Sequence, residues 1–134
     1  MPLRRLALRL HVALWARWLP VLAREPDLRR LLTRAAPPPG TPYAGIPAEA
    51  ILRRVRRTCR RPVLMRDRPC LREGLLAYRF LHLAGFRPRL HFGVDRNSAA
   101  APRLSAHCWV SLDGRVVLNP PLPSHVEMLA VGPE

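Results

Sequence analysis

Lysine is absent from this chain of 134 residues, and all 23 of its basic residues are arginine. Only nine acids stand against them, for a formal net charge of +14. Such a deficit of acids implies an acidic counterpart: a peptide, a nucleic acid, an anionic membrane or an acidic protein. Heavy use of Ala, Pro, Leu and Arg also fits a GC-rich coding bias, which takes some weight from the charge. Cysteine is scarce as well. Cys59, Cys70 and Cys108 are too few and too irregular for a disulfide framework, and no pair has the CxxC spacing of a zinc site. A cytosolic protein without metal or cofactor is therefore expected. No uncharged apolar run reaches the roughly 18 residues of a membrane span. The N-terminal "MPLRRLALRLHVALWARWLPVLAREPDLRRLL" opens like a signal sequence, but Arg17 interrupts its apolar stretch and no small-residue cleavage site follows.

What is present is ample apolar material, 49% of residues, enough for one domain with a real core. Residues 3–19 read as an amphipathic helix with arginines on one face, ending near Pro20. Such a helix packs on its own domain or lies on a membrane surface or a partner. Residues 26–34 make a second helix with Asp27 near its start. "AAPPPGTPYAG" (35–45) is a linker, since four prolines and two glycines in eleven residues forbid a helix. "IPAEAILRRVRRTCRR" (46–61) is a third helix, with Pro47 in its first turn and Pro62 as its stop. A fourth follows Asp67 or Arg68 as cap and Pro69 as first-turn residue. It buries Leu71, Leu75, Leu76, Phe80 and Leu83 and stops at Gly85. Beyond it the apolar period shifts from 3.6 to 2. "RPRLHFGV" (87–94), "SAHCWVSL" (105–112) and "RVVLNP" (115–120) read as strands, the last two flanking an Asp113-Gly114 turn. The tail after Pro120 reads as weakly structured. Helices followed by a small antiparallel sheet make an α+β fold. The division is 1–45, a helical segment with its linker, and 46–134, a core, within one compact domain overall.

The second half carries a thiol constellation. A cysteine nucleophile needs a thiolate, an imidazole and a group that orients the imidazole. Cys70 falls in the first turn of the fourth helix, where free N–H groups and the macrodipole favour a thiolate. His107 lies on the strand after it, and Asn119 on that strand's hairpin partner. A three-residue loop, Leu112-Asp113-Gly114, would pair Ser111 with Arg115 and set His107 directly opposite Asn119. Trp109 would then face Val117, with Cys108, Val110, Val116 and Leu118 on the other side. A two-residue Asp113-Gly114 turn would part His107 from Asn119. The expectation here is the three-residue loop.

The segment "CLREGLLAYRFLHLAGFRPRLHFGV…SAHCWVSLDGRVVLNP" resembles the transglutaminase-like, papain-related cysteine peptidase core, and more narrowly the leader peptidases of lasso-peptide biosynthesis. The shared marks are a Cys-Leu opening a helix, a following strand, and a His-x-Trp-Val strand before an Asp-Gly hairpin. They cover residues 60–120. The resemblance implies a catalytic helix packed on a small antiparallel sheet, Cys70 as nucleophile and His107 as base. The family's third member is usually an aspartate. Its position carries Asn119 here, and Asp113 is the rival, though more simply a turn residue. The implied reaction is hydrolysis that frees a peptide from its leader. The implied partners are the precursor peptide, a separate small leader-recognition protein, for which this chain has no room, and an ATP-dependent cyclase.

The remaining candidates have plainer readings beside functional ones. Trp109 packs beside the histidine or walls a substrate groove. His91, on the face opposite Leu90, Phe92 and Val94, is placed for a substrate contact. The arginine run "RRVRRTCRR" (53–61) reads as a solvated face or a dock for an acidic peptide or partner, and no recognition helix or RNP-like strand accompanies it to suggest nucleic acid. The competing function is a non-catalytic basic module that binds nucleic acid, an anionic membrane or an acidic protein and keeps its cysteines for structure.

Overall fold

The chain's computed structural model describes residues 2–22, 24–60, 69–98 and 106–133. The proposed cap at Asp67 or Arg68 lies outside them. Four helices precede a four-stranded sheet: α1 (Pro2–Leu22), α2 (Leu28–Ala35), α3 (Ala48–Cys59) and α4 (Pro69–Leu83), then β1 (Arg89–Asp95), β2 (Ala106–Leu112), β3 (Arg115–Leu118) and β4 (His125–Val131). The α+β architecture is the one the sequence pattern implies.

α4 is the centre of the fold. Its leucines, Ala77 and Phe80 give it a face wide enough to be covered on several sides, and Leu75, Leu76, Phe80, Leu81 and Leu83 are all buried. One side lies on the sheet against Leu90, Cys108, Val110 and Leu118. Gly74 makes this approach close: a Cβ there would stand 2.7 Å from the Cys108 sulfur and 3.3 Å from Leu90 Cδ1. The other side meets α1 and α3, where Ile51, Leu52 and Val55 are buried. The linker is drawn in as well. The Tyr43 N–H donates to Leu83 O at 2.9 Å, and the Tyr43 hydroxyl meets His11 Nδ1 at 2.8 Å.

Asp27 caps α2 by accepting the Arg29 N–H at 2.9 Å. At the other end of α2, Arg79 of α4 donates to the carbonyls of Ala35 and Ala36 at 3.3 and 3.0 Å. The same guanidinium lies 3.7 Å over the Trp15 ring of α1. A cation at a helix C-terminus and on an indole face is favourable on both counts, so one arginine ties three helices together.

α1 departs from expectation in two respects. It runs past Pro20 to Leu22, with the proline in its last turn, where only a single ladder bond is lost. Arg5, Arg9 and Arg17 are exposed as expected, but much of the outward face is apolar. Leu8, Val12, Ala16, Leu19 and Leu22 are buried, and the opposite side is a row of exposed apolar residues.

The sheet is antiparallel throughout, in the order β3-β2-β1-β4. The tail read as weakly structured is in fact β4, paired along β1 from Leu90↔Val131 to Asp95↔His125.

The hairpin corrects the loop expectation. Leu112 pairs with Arg115, so the turn has two residues, Asp113 and Gly114, at φ 53° and 78°. Positive φ at both central positions is the hairpin turn whose twist matches its strands. The extra residue sits higher in the strand. Ser111 pairs with Val116 and Val110 with Leu118, which leaves Val117 as a bulge. Arg56 of α3 donates to the Val117 carbonyl at 2.8 Å and so satisfies an oxygen the ladder does not use. The bulge exchanges faces: Val117 packs against the core, and Val116 is exposed beside Ser111.

Candidate active site

Cys70, half-buried in the first turn of α4, and His107, at the start of β2, line one cleft of about 610 Å³. Leu71, Phe92, Gly93, Cys108 and Met128 complete much of its wall, which is mainly apolar. The cleft lies where β1 ends and β2 begins.

Asn119 connects the two elements, but not as expected. The strand ends at Leu118, and Asn119 has a left-handed backbone at φ 52°. That turn aims its main-chain carbonyl at His107 Nε2, 2.8 Å away. Its side-chain amide points instead to α4, donating to Cys70 O at 3.5 Å. The expected role for the Asn119 side chain is therefore corrected: the backbone oxygen orients the imidazole. The two-residue turn and the bulge at Val117 remove the direct cross-strand pairing of residues 107 and 119.

The carbonyl also fixes the tautomer. A carbonyl can only accept, so His107 Nε2 carries the proton and Nδ1 is the free lone pair. Asp113, the rival third member, sits in the turn at the far end of β2 and lines a different cleft from Cys70 and His107.

A ring stack supports the base. His107 lies 4.6 Å from His125 at an interplanar angle of 13° and 5.9 Å from Trp109 at 23°. His125 Nδ1 accepts the Leu122 N–H at 2.7 Å, which holds its ring. Asp95 pairs with His125 across β1 and β4. Its carboxyl is held below the usual aspartate range by hydrogen bonds from the Asn97 N–H and the Ser124 side chain, then by His125 and Arg96. His125 and Asp95 were not singled out from sequence. No local apolar pattern marks either of them, and β4 is mostly exposed.

The three thiols have different surroundings. Burial, then Glu73, pushes the Cys59 thiol up to about 12. Burial, then the neighbouring Cys70, pushes the Cys108 thiol up as well. Burial thus favours the neutral thiol at both positions. Cys70 and Cys108 both border the cleft that holds His107, but Cys108 is buried and Cys70 is the half-buried thiol.

Trp109 and His91 lie elsewhere. They line a separate cleft of about 360 Å³, with Arg87, Arg89 and Ser111. His91 stacks flat on Trp109 at 5.3 Å. Its Nε2 meets Ser111 Oγ at 2.6 Å, and its Nδ1 meets the Glu127 carboxylate. The Trp109 indole covers Gly93 so closely that a Cβ there would stand 2.9 Å from the ring. Trp109 thus bridges the two clefts: it packs beside His107 and walls the neighbouring groove.

A family model described as the transglutaminase-like superfamily matches residues 6–130. The chain belongs to that superfamily, whose members include cysteine peptidases. The match takes in α1 through β4, and so every element of the candidate site. No curated protein and no solved structure matches the chain.

The Asn119 arrangement has a direct consequence. Asn119→Gly keeps the left-handed backbone and the carbonyl but removes the amide. Activity is expected to stay within about tenfold of wild type, because the tautomer of His107 is still set. A loss as deep as that of His107→Ala, measured in the same assay, would return the orienting role to the side chain.

Proposed function

We propose that this protein is a cysteine peptidase that removes the leader from a ribosomally made lasso-peptide precursor. The observation that carries the reading is the shared cleft of Cys70 and His107, with His107 Nε2 engaged by Asn119 O and Nδ1 left as base. In the reaction His107 Nδ1 takes the Cys70 thiol proton, and the sulfur attacks the carbonyl carbon at the end of the leader. The N–H groups at the start of α4, that of Cys70 included, receive the oxyanion. The C–N bond breaks, the His107 proton passes to the leaving amine, and a thioester remains on Cys70. Water, deprotonated by His107, hydrolyses it and frees the leader's carboxylate. The mainly apolar cleft wall suits an extended peptide whose side chains alternate between pocket and solvent.

The narrower assignment to lasso-peptide maturation rests on the Cys-Leu helix start and the His-x-Trp-Val strand with its Asp-Gly turn. A separate small leader-recognition protein delivers the precursor in this reading, and an ATP-dependent cyclase acts on the freed core. The test is a cleavage assay of purified protein, leader-recognition partner and precursor, read by mass spectrometry. Cleavage by wild type at the leader–core junction, and none by Cys70→Ala, is the expected result. Equal cleavage by both would refute the mechanism.

A further inference from the structure

The outward face of α1 is an apolar ridge broken by the exposed Arg17. Leu3, Leu6, Leu10, Leu14, Trp18 and Val21 recur at helical spacing, and each is about half exposed or more, Leu3 reaching 80%. A helix that faces solvent on this side should carry polar residues there. Over 21 residues the ridge spans roughly 30 Å. No helix among the described residues is long and apolar enough to cross a membrane.

A second, independent feature lies between α1 and α3, on another side of α1 from the ridge. Arg5 of α1 and Arg53, Arg54 and Arg57 of α3 line a crevice of about 160 Å³ that contains no acidic residue. Among the described residues none of the four forms an ion pair. Arg54 is made less basic than usual by burial, then by Arg9 and Arg57, so these cations crowd one another without a counter-charge. No Asp or Glu occurs before Glu25, while Arg4, Arg5, Arg9, Arg17 and Arg24 do. An apolar ridge on a helix whose exposed charges, Arg9 and Arg17 among them, are all cationic asks for an occupant that is apolar inside and anionic at its edge.

We propose that α1 seats this protein on the surface of an anionic lipid bilayer, with the ridge in the acyl–headgroup boundary and the arginines on lipid phosphates. A second copy would bring its own +14 charge against the same arginines. A protein partner would have to supply a groove for a convex helix, whereas a bilayer surface accepts one as it is.

The test is co-sedimentation of the full chain with phosphatidylcholine vesicles, with and without roughly 30 mol% phosphatidylglycerol. Binding is expected to be at least about tenfold stronger to the anionic vesicles and to weaken with salt. Leu10→Glu/Leu14→Glu should abolish it, as should Arg9→Glu/Arg17→Glu, each with an unchanged far-UV circular dichroism spectrum. The substituted residues are exposed, so both variants should fold. No preference for anionic vesicles would overturn the proposal, as would equal binding by the leucine variant. So would a dimer in sedimentation velocity that the leucine variant dissolves, since the ridge would then be covered by a second copy.

Discussion

Cys70→Ala is expected to lower the rate of leader cleavage by at least about 10³-fold while leaving the thermal midpoint within a few degrees of wild type. Two observations separate activity from stability here. Cys70 is half-buried at the edge of a cleft, outside the deepest packing, so losing its sulfur opens little void in the core. Cys59 and Cys108 are poor substitutes for it, because burial raises both thiols; Cys59 lies outside the cleft, and Cys108 reaches it only as a buried wall residue. His107→Ala should give a loss of the same order, and the double variant little more, since nucleophile and base act as a unit. Single losses that multiplied in the double variant would mean that the two residues work independently.

Phe80→Ala carries the largest expected cost in stability, about 3–5 kcal/mol. Phe80 is fully buried on α4 and meets rings from two other segments: His11 of α1 at 4.9 Å, edge to face, and Tyr43 of the linker at 6.2 Å. Its removal empties the junction of α1, the linker and α4, where the Tyr43 hydroxyl also holds His11. Domains of this size are stable by about 5–15 kcal/mol, so the variant should lose a large share of the total. The check is the urea midpoint at constant slope. A shift worth less than about 1 kcal/mol would show that the junction collapses around the void.

Much of this was legible before the structure, for local reasons. α4 announces itself by Pro69 at its start, apolar residues at helical spacing and Gly85 at its end, and it runs Pro69–Leu83. The change to a period of two and the Asp113-Gly114 pair gave β2, β3 and the place of the turn, but not its length. What was not legible depended on contacts distant in sequence. The register of β3 turns on the Val117 bulge, whose carbonyl is taken by Arg56, 61 residues away. No pattern within the hairpin encodes that partner. The slip then decides that Asn119 meets His107 through its carbonyl.

β4 escaped notice for a different reason. It is an edge strand with most of its side chains exposed, so it lacks a buried alternating face. Its ladder with β1 holds it, and it brings His125 onto His107. The outward ridge of α1 was hidden because leucines on both sides of a helix look the same until one side is seen to be covered.

The central claim is that Cys70 and His107 form one reactive pair. Its most direct test is the rate of Cys70 alkylation by iodoacetamide as a function of pH, followed by peptide mass mapping, in wild type and in His107→Ala. The account predicts that Cys70 reacts well ahead of Cys59 and Cys108 in the folded protein, and that removing His107 both slows it and changes the shape of its pH profile. An identical profile in the two proteins would contradict the pairing.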